Sequence, residues 1–335
     1  MSSVKNQRWR IATGMLISIL LMFIVLRNIN FYDIYISFKT ANYYYFIPLF
    51  IIPVLNFAIR SLRWRTLFEL SPLPGNKNLF IAMTIGYLAN NVLPARTGEF
   101  VRVWMLAKYE SISNSTVLAT VVLERLIELV ITVFLLYGVV IFFPLPETIR
   151  KTGLILGIMG VFCLFILFSL NKWRYFYQQI TKNVMVFLPN VLLDKILFAF
   201  DHFVNGINSL KNLKNASSFC LYSAIIWILE ILSLWFVAKA FNLNLSPAAS
   251  LFILLSIGLG TIIPSSPGYI GTYEFFAISA LKAINLTGNN AIAFVFVMHA
   301  LTFLFPIFLG FVCLFISGQS LISIQMETEK NVSNN

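Results

Sequence analysis

Three ionisable side chains lie close together in the segment LPARTGEFVR, residues 93–102, beside a proline and a glycine. Arg96 and Arg102 each carry a planar guanidinium, whose forked donors can hold a phosphate by two parallel hydrogen bonds. Glu99 can pair with either arginine or bind a cationic group. The set indicates binding of a phospholipid head group. The alternative is that the arginines simply reach toward lipid phosphates from the membrane interface.

A second charged set lies in the apolar segment VVLERLIELV, which contains Glu124, Arg125 and Glu128. The two glutamates are four residues apart and therefore share one face of a helix. Ionisable groups inside a membrane are costly, so they usually face a partner or a water-filled cavity. Substrate binding and an internal ion pair with Arg96 or Arg102 are both compatible with this pattern.

The segment IIPSSPGYIGTYEF, residues 262–275, repeats the combination of apolar residues, proline, glycine and Glu-Phe found in the first segment. Glycines allow the chain to reverse tightly, and prolines remove backbone donors, so both segments are predicted to break a helix. Glu274 follows the second break, where a short helix would begin. The predicted turn residues are Pro94, Gly98, Pro264, Pro267, Gly268 and Gly271.

Two further ionisable residues lie in apolar segments. Glu230, in IIWILEILSL, could serve a cationic substrate or a proton, or could make a plain hydrogen-bonded helix contact. His299 is interpreted as a hydrogen-bonded buried histidine rather than as a proton relay.

The composition places these residues in a membrane protein. The chain has 335 residues, of which 59% are hydrophobic and only 11% charged, too few charges to cover a soluble domain of this size. The net charge of +11 is concentrated in loops beside apolar segments, as anionic lipids favour, so nucleic acid is not predicted as a partner. No metal or cofactor is predicted, because the three cysteines are scattered and no common catalytic motif is present.

Apolar periodicity predicts an all-α polytopic protein with about six full spans and two broken-helix or re-entrant hairpins, about eight membrane segments in all. Lys172–Lys214 differs, because its apolar residues recur every three or four positions among polar ones, which is typical of an amphipathic surface helix. The predicted full spans are Ile11–Leu26, Tyr43–Ile59, Val117–Phe143, Gly153–Leu170, Phe219–Ala240 and Ala291–Ile316, and the hairpins pair Leu79–Leu93 with Glu99–Lys108 and Ala248–Ile263 with Ile270–Ile284.

The distribution of basic residues predicts the orientation. The N-terminus, the RSLRWR segment at residues 60–65 and the Lys172–Lys214 segment are basic, so they and both termini are expected in the cytoplasm. The two hairpins then enter from opposite sides, which is typical of an inverted-repeat transporter. Two ordinary helices with proline kinks are the alternative. The predicted regions are a cytoplasmic N-terminus (1–10), a transmembrane domain (11–318) that includes the surface segment (172–214), and a disordered cytoplasmic tail (319–335).

The two motifs, LPARTGEFVR with the following ER pair and PGYIGTYE, resemble the lysylphosphatidylglycerol synthase transmembrane-region family, the flippase-like domain of multiple-peptide-resistance factors. The resemblance covers roughly residues 10–318. It implies a multi-pass protein of the cell membrane that moves a lipid between leaflets. The residues that carry the family pattern are Arg96, Gly98, Glu99, Arg102, Glu124, Arg125, Pro267, Gly268, Gly271 and Glu274.

The expected function is therefore that of a lipid translocase without enzymatic activity. Its partner would be an anionic or aminoacylated phospholipid or a polyprenyl-phosphate lipid, bound by Arg96, Glu99, Arg102, Glu124, Arg125, Glu128 and Glu274. A polyprenyl-phosphate glycosyltransferase, a non-transporting subunit of envelope assembly and a homo-oligomer stay open. Bifunctional relatives continue into a soluble synthase domain. This chain ends at Asn335, so we expect no lipid synthesis by that route.

Overall fold

A computed structural model describes residues 15–27, 31–93, 97–142, 212–262 and 266–318, together with single positions between 147 and 207. The described residues are helical apart from short turns, which confirms the predicted all-α class. The helices are α1 (Met15–Leu26), α2 (Phe31–Lys39), α3 (Ile52–Arg65), α4 (Asn76–Val92), α5 (Gly98–Glu110), α6 (Asn114–Phe142), α7 (Leu213–Ala240), α8 (Pro247–Ile262), α9 (Thr272–Ala283) and α10 (Asn289–Ser317). A 3₁₀ helix, Tyr43–Phe50, runs into α3, and a 3₁₀ turn, Pro267–Tyr269, precedes α9.

Three helical segments of the described chain are long and apolar enough to cross a membrane: Tyr43–Arg65, α7 and α10. A fourth is obtained if α1 and α2 count as one bent span. The larger predicted number of segments therefore stays a prediction. The surface helix predicted at Lys172–Lys214 lies almost entirely outside the described residues, as do the two terminal regions.

Helix α2 is absent from the sequence prediction, which has no helix between the spans Ile11–Leu26 and Tyr43–Ile59. Its segment FYDIYISFK is apolar, with Asp33 in the first turn and Lys39 in the last, where each charge complements the helix dipole. The helix buries Ile34 and packs against α10. The charge-poor linker is therefore helical because it has an apolar face to bury.

Both predicted breaks fall between two short helices that pack against each other. Helices α4 and α5 have 17 and 13 residues, and α8 and α9 have 16 and 12. A 29-residue helix follows each pair, α6 after the first and α10 after the second. Helix α4 also packs against α10, and α8 packs against α6. Each short pair is thus held against the long helix that follows the other pair.

The core consists of two clusters of buried side chains. One is formed mainly by α3, α4, α5 and α6, and includes Trp64, Leu88 and Leu106. The other is formed mainly by α7 to α10, and includes Phe241 and Phe294. The C-terminal part of α10 joins the first cluster and that of α6 joins the second.

Candidate functional site

The centre of the charged site is Glu124 of α6, which lies between two arginines of neighbouring helices. Its Oε1 accepts a hydrogen bond from Arg63 Nη2 at 3.0 Å, and its Oε2 accepts one from Arg102 Nη2. All three side chains are only 1% exposed. The Arg102 guanidinium also lies over the ring of Trp64, 3.7 Å from its centroid, a cation–π contact.

Around this centre lies a rim of half-buried charges. Glu128 accepts hydrogen bonds from Arg125 Nη1 at 2.9 Å and from Arg60 Nη1 at 3.2 Å. Arg60 Nη2 donates to Glu230 at 3.0 Å, and Arg125 Nε lies 3.6 Å from Glu99 Oε1. The rim side chains are 15–38% exposed, so they can be reached by a ligand, unlike those of the centre.

The network joins α3, α5, α6 and α7 and balances its charges. It contains four arginines and four glutamates: Arg60, Arg63, Arg102 and Arg125 with Glu99, Glu124, Glu128 and Glu230. Buried charges are tolerated when they are paired. Removing one partner leaves the other charge buried without a counter-charge, and its desolvation then costs a large free energy. The arrangement can therefore hold helices together at its centre while its rim presents both signs of charge.

The first break is fixed by close backbone approach. Gly98 N donates to Asn90 Oδ1 at 2.8 Å, so α4 supplies the cap for the first turn of α5. A Cβ atom on Gly98 would lie 2.0 Å from the carbonyl oxygen of Gly86, and one on Gly86 would lie 2.8 Å from Arg102 Cβ. Glycine at these positions lets α4 and α5 touch and sets the position of Arg102. The predicted turn residue Pro94 and the predicted ligand Arg96 lie outside the described residues.

The second break is closed by a ring of hydrogen bonds between α9, α10 and the turn. Glu274 Oε2 accepts from Gly271 N at 2.8 Å, and Glu274 Oε1 lies 2.6 Å from His299 Nδ1. His299 Nε2 lies 2.7 Å from the carbonyl oxygen of Gly268. Both glycines have positive φ angles, 73° and 89°, which glycine adopts at little cost. Pro267 begins the 3₁₀ turn, and Pro264 lies outside the described residues.

Two cavities lie between the N-terminal half, which comprises α1 to α6, and the C-terminal half, which comprises α7 to α10. The larger, about 250 Å³, is bounded by both breaks: Asn90, Glu99 and Arg125 lie on one side, and Gly268, Tyr273 and His299 on the other. The second, about 190 Å³, contains Asn56, Arg60 and Glu230. Tyr87 and Thr302 line both cavities, so the two are neighbours.

The structure brings most of the described sequence-predicted residues into this region, in two different environments. Glu99, Arg125 and Glu128 lie at the accessible rim. Arg102 and Glu124 lie in the closed centre, as the ion-pair interpretation predicted, and Glu274 is 3% exposed within the ring of the second break. The predicted buried and hydrogen-bonded state of His299 agrees with its two contacts.

Sequence reasoning missed Arg60 and Arg63, which it counted as cytoplasmic charges of RSLRWR. Both lie within α3, three residues apart, and therefore point from one side of the helix toward Glu124 and Glu128. The three-residue spacing of these arginines and the four-residue spacing of Glu124 and Glu128 each place two charges on one face of a helix. This was the sequence signal that could have indicated the pairing. Among the described residues, no group of three histidine, cysteine or acidic side chains is arranged to hold a metal ion.

The amino-acid sequence of this chain matches a family of membrane proteins. The family model for the lysylphosphatidylglycerol synthase TM region matches residues 11–310. A UPF0104 membrane protein of Methanocaldococcus jannaschii is 24% identical over 313 residues, which cover 90% of this chain and 93% of that protein. A UPF0104 membrane protein of Pyrococcus horikoshii is 24% identical over 293 residues, covering 80% of this chain and 86% of that protein. No solved structure matches. The chain therefore belongs to the lysylphosphatidylglycerol synthase TM-region family of membrane proteins.

Proposed function

We propose that this membrane protein is a lipid translocase, in which a lipid head group passes between the two halves while the acyl or prenyl chains stay in the bilayer. The observation that carries the proposal is the pair of adjoining cavities, each lined by charged residues. The larger lies between the two breaks and contains Glu99 and Arg125, and the smaller contains Arg60 and Glu230. Such charges are expensive within a bilayer and are usually retained there for a substrate path.

The lining of the cavities fits a phosphate-containing lipid. Arg60 and Arg125 offer guanidinium donors, and Arg125 Nε has no hydrogen-bond partner among the described residues. Glu99 and Glu230 can balance a cationic part of the head group. The smaller cavity also has an apolar wall suited to the start of a hydrocarbon chain, formed by Leu49, Pro53, Phe57, Met298, Leu301, Phe305 and Pro306. The proposed substrates are an anionic or aminoacylated phospholipid or a polyprenyl-phosphate lipid.

In this proposal the charges divide between two tasks. The rim residues Arg60, Glu99 and Arg125 contact the head group. Arg102 and Glu124, which are fully buried and paired, hold the helices that carry the rim. Glu274 acts at the second break through His299 and Gly271 rather than by direct contact with the lipid.

Transport by such a site requires that it open alternately to each side, and we propose that two inverted halves supply this motion. The matched packing supports the idea: α4 with α10 corresponds to α8 with α6, and α5 with α6 corresponds to α9 with α10. The segment Tyr43–Arg65 and helix α7, the long apolar segments that precede the two short pairs, also pack against each other. We further propose about eight membrane segments, both termini in the cytoplasm and a location in the cell membrane, as the charge distribution predicts.

The test is leaflet exchange of a fluorescent phospholipid in vesicles that contain the purified protein. Wild-type protein should accelerate loss of fluorescence to an impermeant quencher, and Arg125→Gln should slow this exchange about tenfold, the ratio expected for losing a charge-assisted hydrogen bond. The matched control is Arg65→Gln, because Arg65 Nε donates to the Pro74 carbonyl at 2.9 Å and lines neither cavity.

The same vesicles distinguish the alternative left open by the sequence. A glycosyltransferase would form a new glycolipid from polyprenyl phosphate and an activated sugar without moving the fluorescent lipid. Exchange no faster than in protein-free vesicles, across anionic, aminoacylated and polyprenyl-phosphate lipids, would contradict the proposed function.

A further inference from the structure

The two contacts of His299 indicate how many hydrogen atoms lie on or beside its ring nitrogens. Nε2 faces the carbonyl oxygen of Gly268 at 2.7 Å, and a carbonyl can only accept, so Nε2 carries a hydrogen. Nδ1 faces Glu274 Oε1 at 2.6 Å. Two lone pairs at this distance would repel, so a second hydrogen lies between Nδ1 and Oε1.

This second hydrogen is a proton that the pair binds together. It belongs either to an imidazolium beside a carboxylate or to a carboxylic acid beside a neutral imidazole, and in both forms the pair has no net charge. If the proton leaves, the neutral imidazole keeps one hydrogen, so His299 can donate either to Glu274 or to the Gly268 carbonyl but not to both. In either tautomer one of the bonds that connect Gly268 O, through His299 and Glu274, to Gly271 N is lost, so the hold on the turn is loosened.

The turn needs to be held, because its backbone is unusual. Gly268, Tyr269 and Gly271 all have positive φ angles, at 73°, 60° and 89°. For the tyrosine this conformation is unfavourable and persists only where its surroundings impose it. The ring of Glu274 and His299 is bonded to the backbone at both ends of the turn, at Gly268 O and Gly271 N.

The pair lies beside a cavity from which a proton can leave. His299 lines the larger cavity, and the ring of Tyr273 from α9 is stacked on its imidazole, with centroids 4.4 Å apart. Other elements packed nearby also bring titratable or charged groups to this cavity: Tyr87 of α4, Glu99 of α5, Arg125 of α6 and Tyr269 of the turn. Glu230 of α7 lines the adjoining cavity. Helix α2 also packs on α10, and its Asp33 and Lys39 line neither cavity.

We infer that Glu274 and His299 form a proton-binding site that locks the second break, and that release of this proton into the cavity frees the turn of residues 268–271. The coupling of this release to lipid movement rests on the proposed translocase function, because a freed turn lets α9 shift relative to α10 during opening. The ligand is a single proton, exchanged with water in the cavity, and no other group is consumed.

One substitution reproduces the locked state without the proton. In Glu274→Gln, the amide NH₂ donates to Nδ1 of a neutral His299, and the amide oxygen accepts from Gly271 N. Every hydrogen bond of the ring is retained, yet no proton can leave. The variant should therefore be folded and permanently locked. The matched control is Glu110→Gln, which removes a carboxylate that accepts from Gly75 N and Asn78 Nδ2, away from the cavities.

The experiment measures amide hydrogen exchange in the peptide covering residues 266–275 of the full-length protein, between pH 5 and pH 10 and corrected for intrinsic exchange rates. In wild-type protein and in Glu110→Gln, protection should fall about tenfold as the proton is released, the ratio expected for one hydrogen bond to a charged group. In Glu274→Gln, protection should stay constant. His299→Gln, which removes the imidazole from the pair, should also show no pH-dependent step.

Constant protection in wild-type protein, or a fall in Glu274→Gln equal to that in wild type, would overturn the proton site. If Glu274→Gln fails to fold, His299→Gln decides the same question. Coupling is tested separately: an imposed pH gradient should change leaflet exchange by wild-type protein and leave that by Glu274→Gln unchanged. If no variant moves lipid while the exchange result holds, the translocase proposal fails and the proton site stands.

Discussion

Replacing Glu124 by glutamine should destabilise the protein more than any other single loss of charge at this site. The side chain is 1% exposed and lies between Arg63 and Arg102, each also 1% exposed. Glutamine keeps the size but offers one accepting oxygen, and its NH₂ group faces the donors of the second arginine. Breaking a buried pair in this way costs about 3–5 kcal/mol of unfolding free energy.

The assay is thermal unfolding of purified protein in detergent. Using about 2–4 °C per kcal/mol, the midpoint of Glu124→Gln should fall by roughly 6–20 °C. The matched control is Glu230→Gln, because Glu230 is 31% exposed and its partner Arg60 also contacts Glu128. Because Glu230 is partly exposed and Arg60 keeps its contact with Glu128, the control should lose about 1 kcal/mol and unfold within a few degrees of wild type.

A double variant tests the reason for the loss. Arg102→Met combined with Glu124→Gln removes one charge of each sign and leaves Arg63 within 3.6 Å of Glu128. It should be more stable than Glu124→Gln alone, because fewer buried charges lack a partner. Equal midpoints for Glu124→Gln and wild type, or a larger loss in Glu230→Gln, would refute the assignment of Glu124 as the centre of the network.

Two further predictions concern the second break and the orientation. Gly271→Val should lower the yield of folded protein in the membrane severalfold, measured by fluorescence-detected chromatography. Its φ is 89°, and a Cβ atom there would lie 2.3 Å from a backbone carbonyl oxygen of α1. The control Gly258→Val, which has open space beside it, should accumulate normally in the same assay. An impermeant thiol reagent should label Asn42→Cys and Asn244→Cys in intact cells but not Lys214→Cys. The reason is that Asn42 N donates to the carbonyl oxygen of the last residue of α7 at 2.9 Å, whereas residue 214 lies at the opposite end of that helix. Labelling of residue 214 from outside would contradict the proposed orientation.

The short helices and breaks could be predicted from the sequence because local chemistry determines them. Proline and glycine interrupt apolar segments near Leu93 and Ser266, and the structure has helix ends at Val92 and Ile262. Glu274 could be placed in the first turn of a short helix because it follows the glycine that begins the helix. Helix α2 was missed since hydropathy alone does not distinguish an apolar linker from a short helix.

The pairing of charges could not be predicted, because it depends on which helix faces lie together. Arg60 was counted among the cytoplasmic charges because it is basic and lies at the end of a predicted span. Only its contacts with Glu128 and Glu230 distinguish it from an arginine in a loop. The same holds for His299 and Glu274, which are 25 residues apart and meet only when α9 packs on α10. Spacing within one helix was informative, whereas contacts between helices required the fold.

The central claim is that lipid moves between two halves that separate at the cavities, and a reversible cross-link tests it most directly. Asn91 Nδ2 of α4 donates to the Phe303 carbonyl of α10 at 3.3 Å, so cysteines at positions 91 and 303, in a background without the native cysteines, should be joined by a short bifunctional methanethiosulfonate reagent. We expect the cross-linked protein to lose leaflet exchange of the fluorescent lipid and to regain it when dithiothreitol removes the link. Undiminished exchange in fully cross-linked protein would contradict the account.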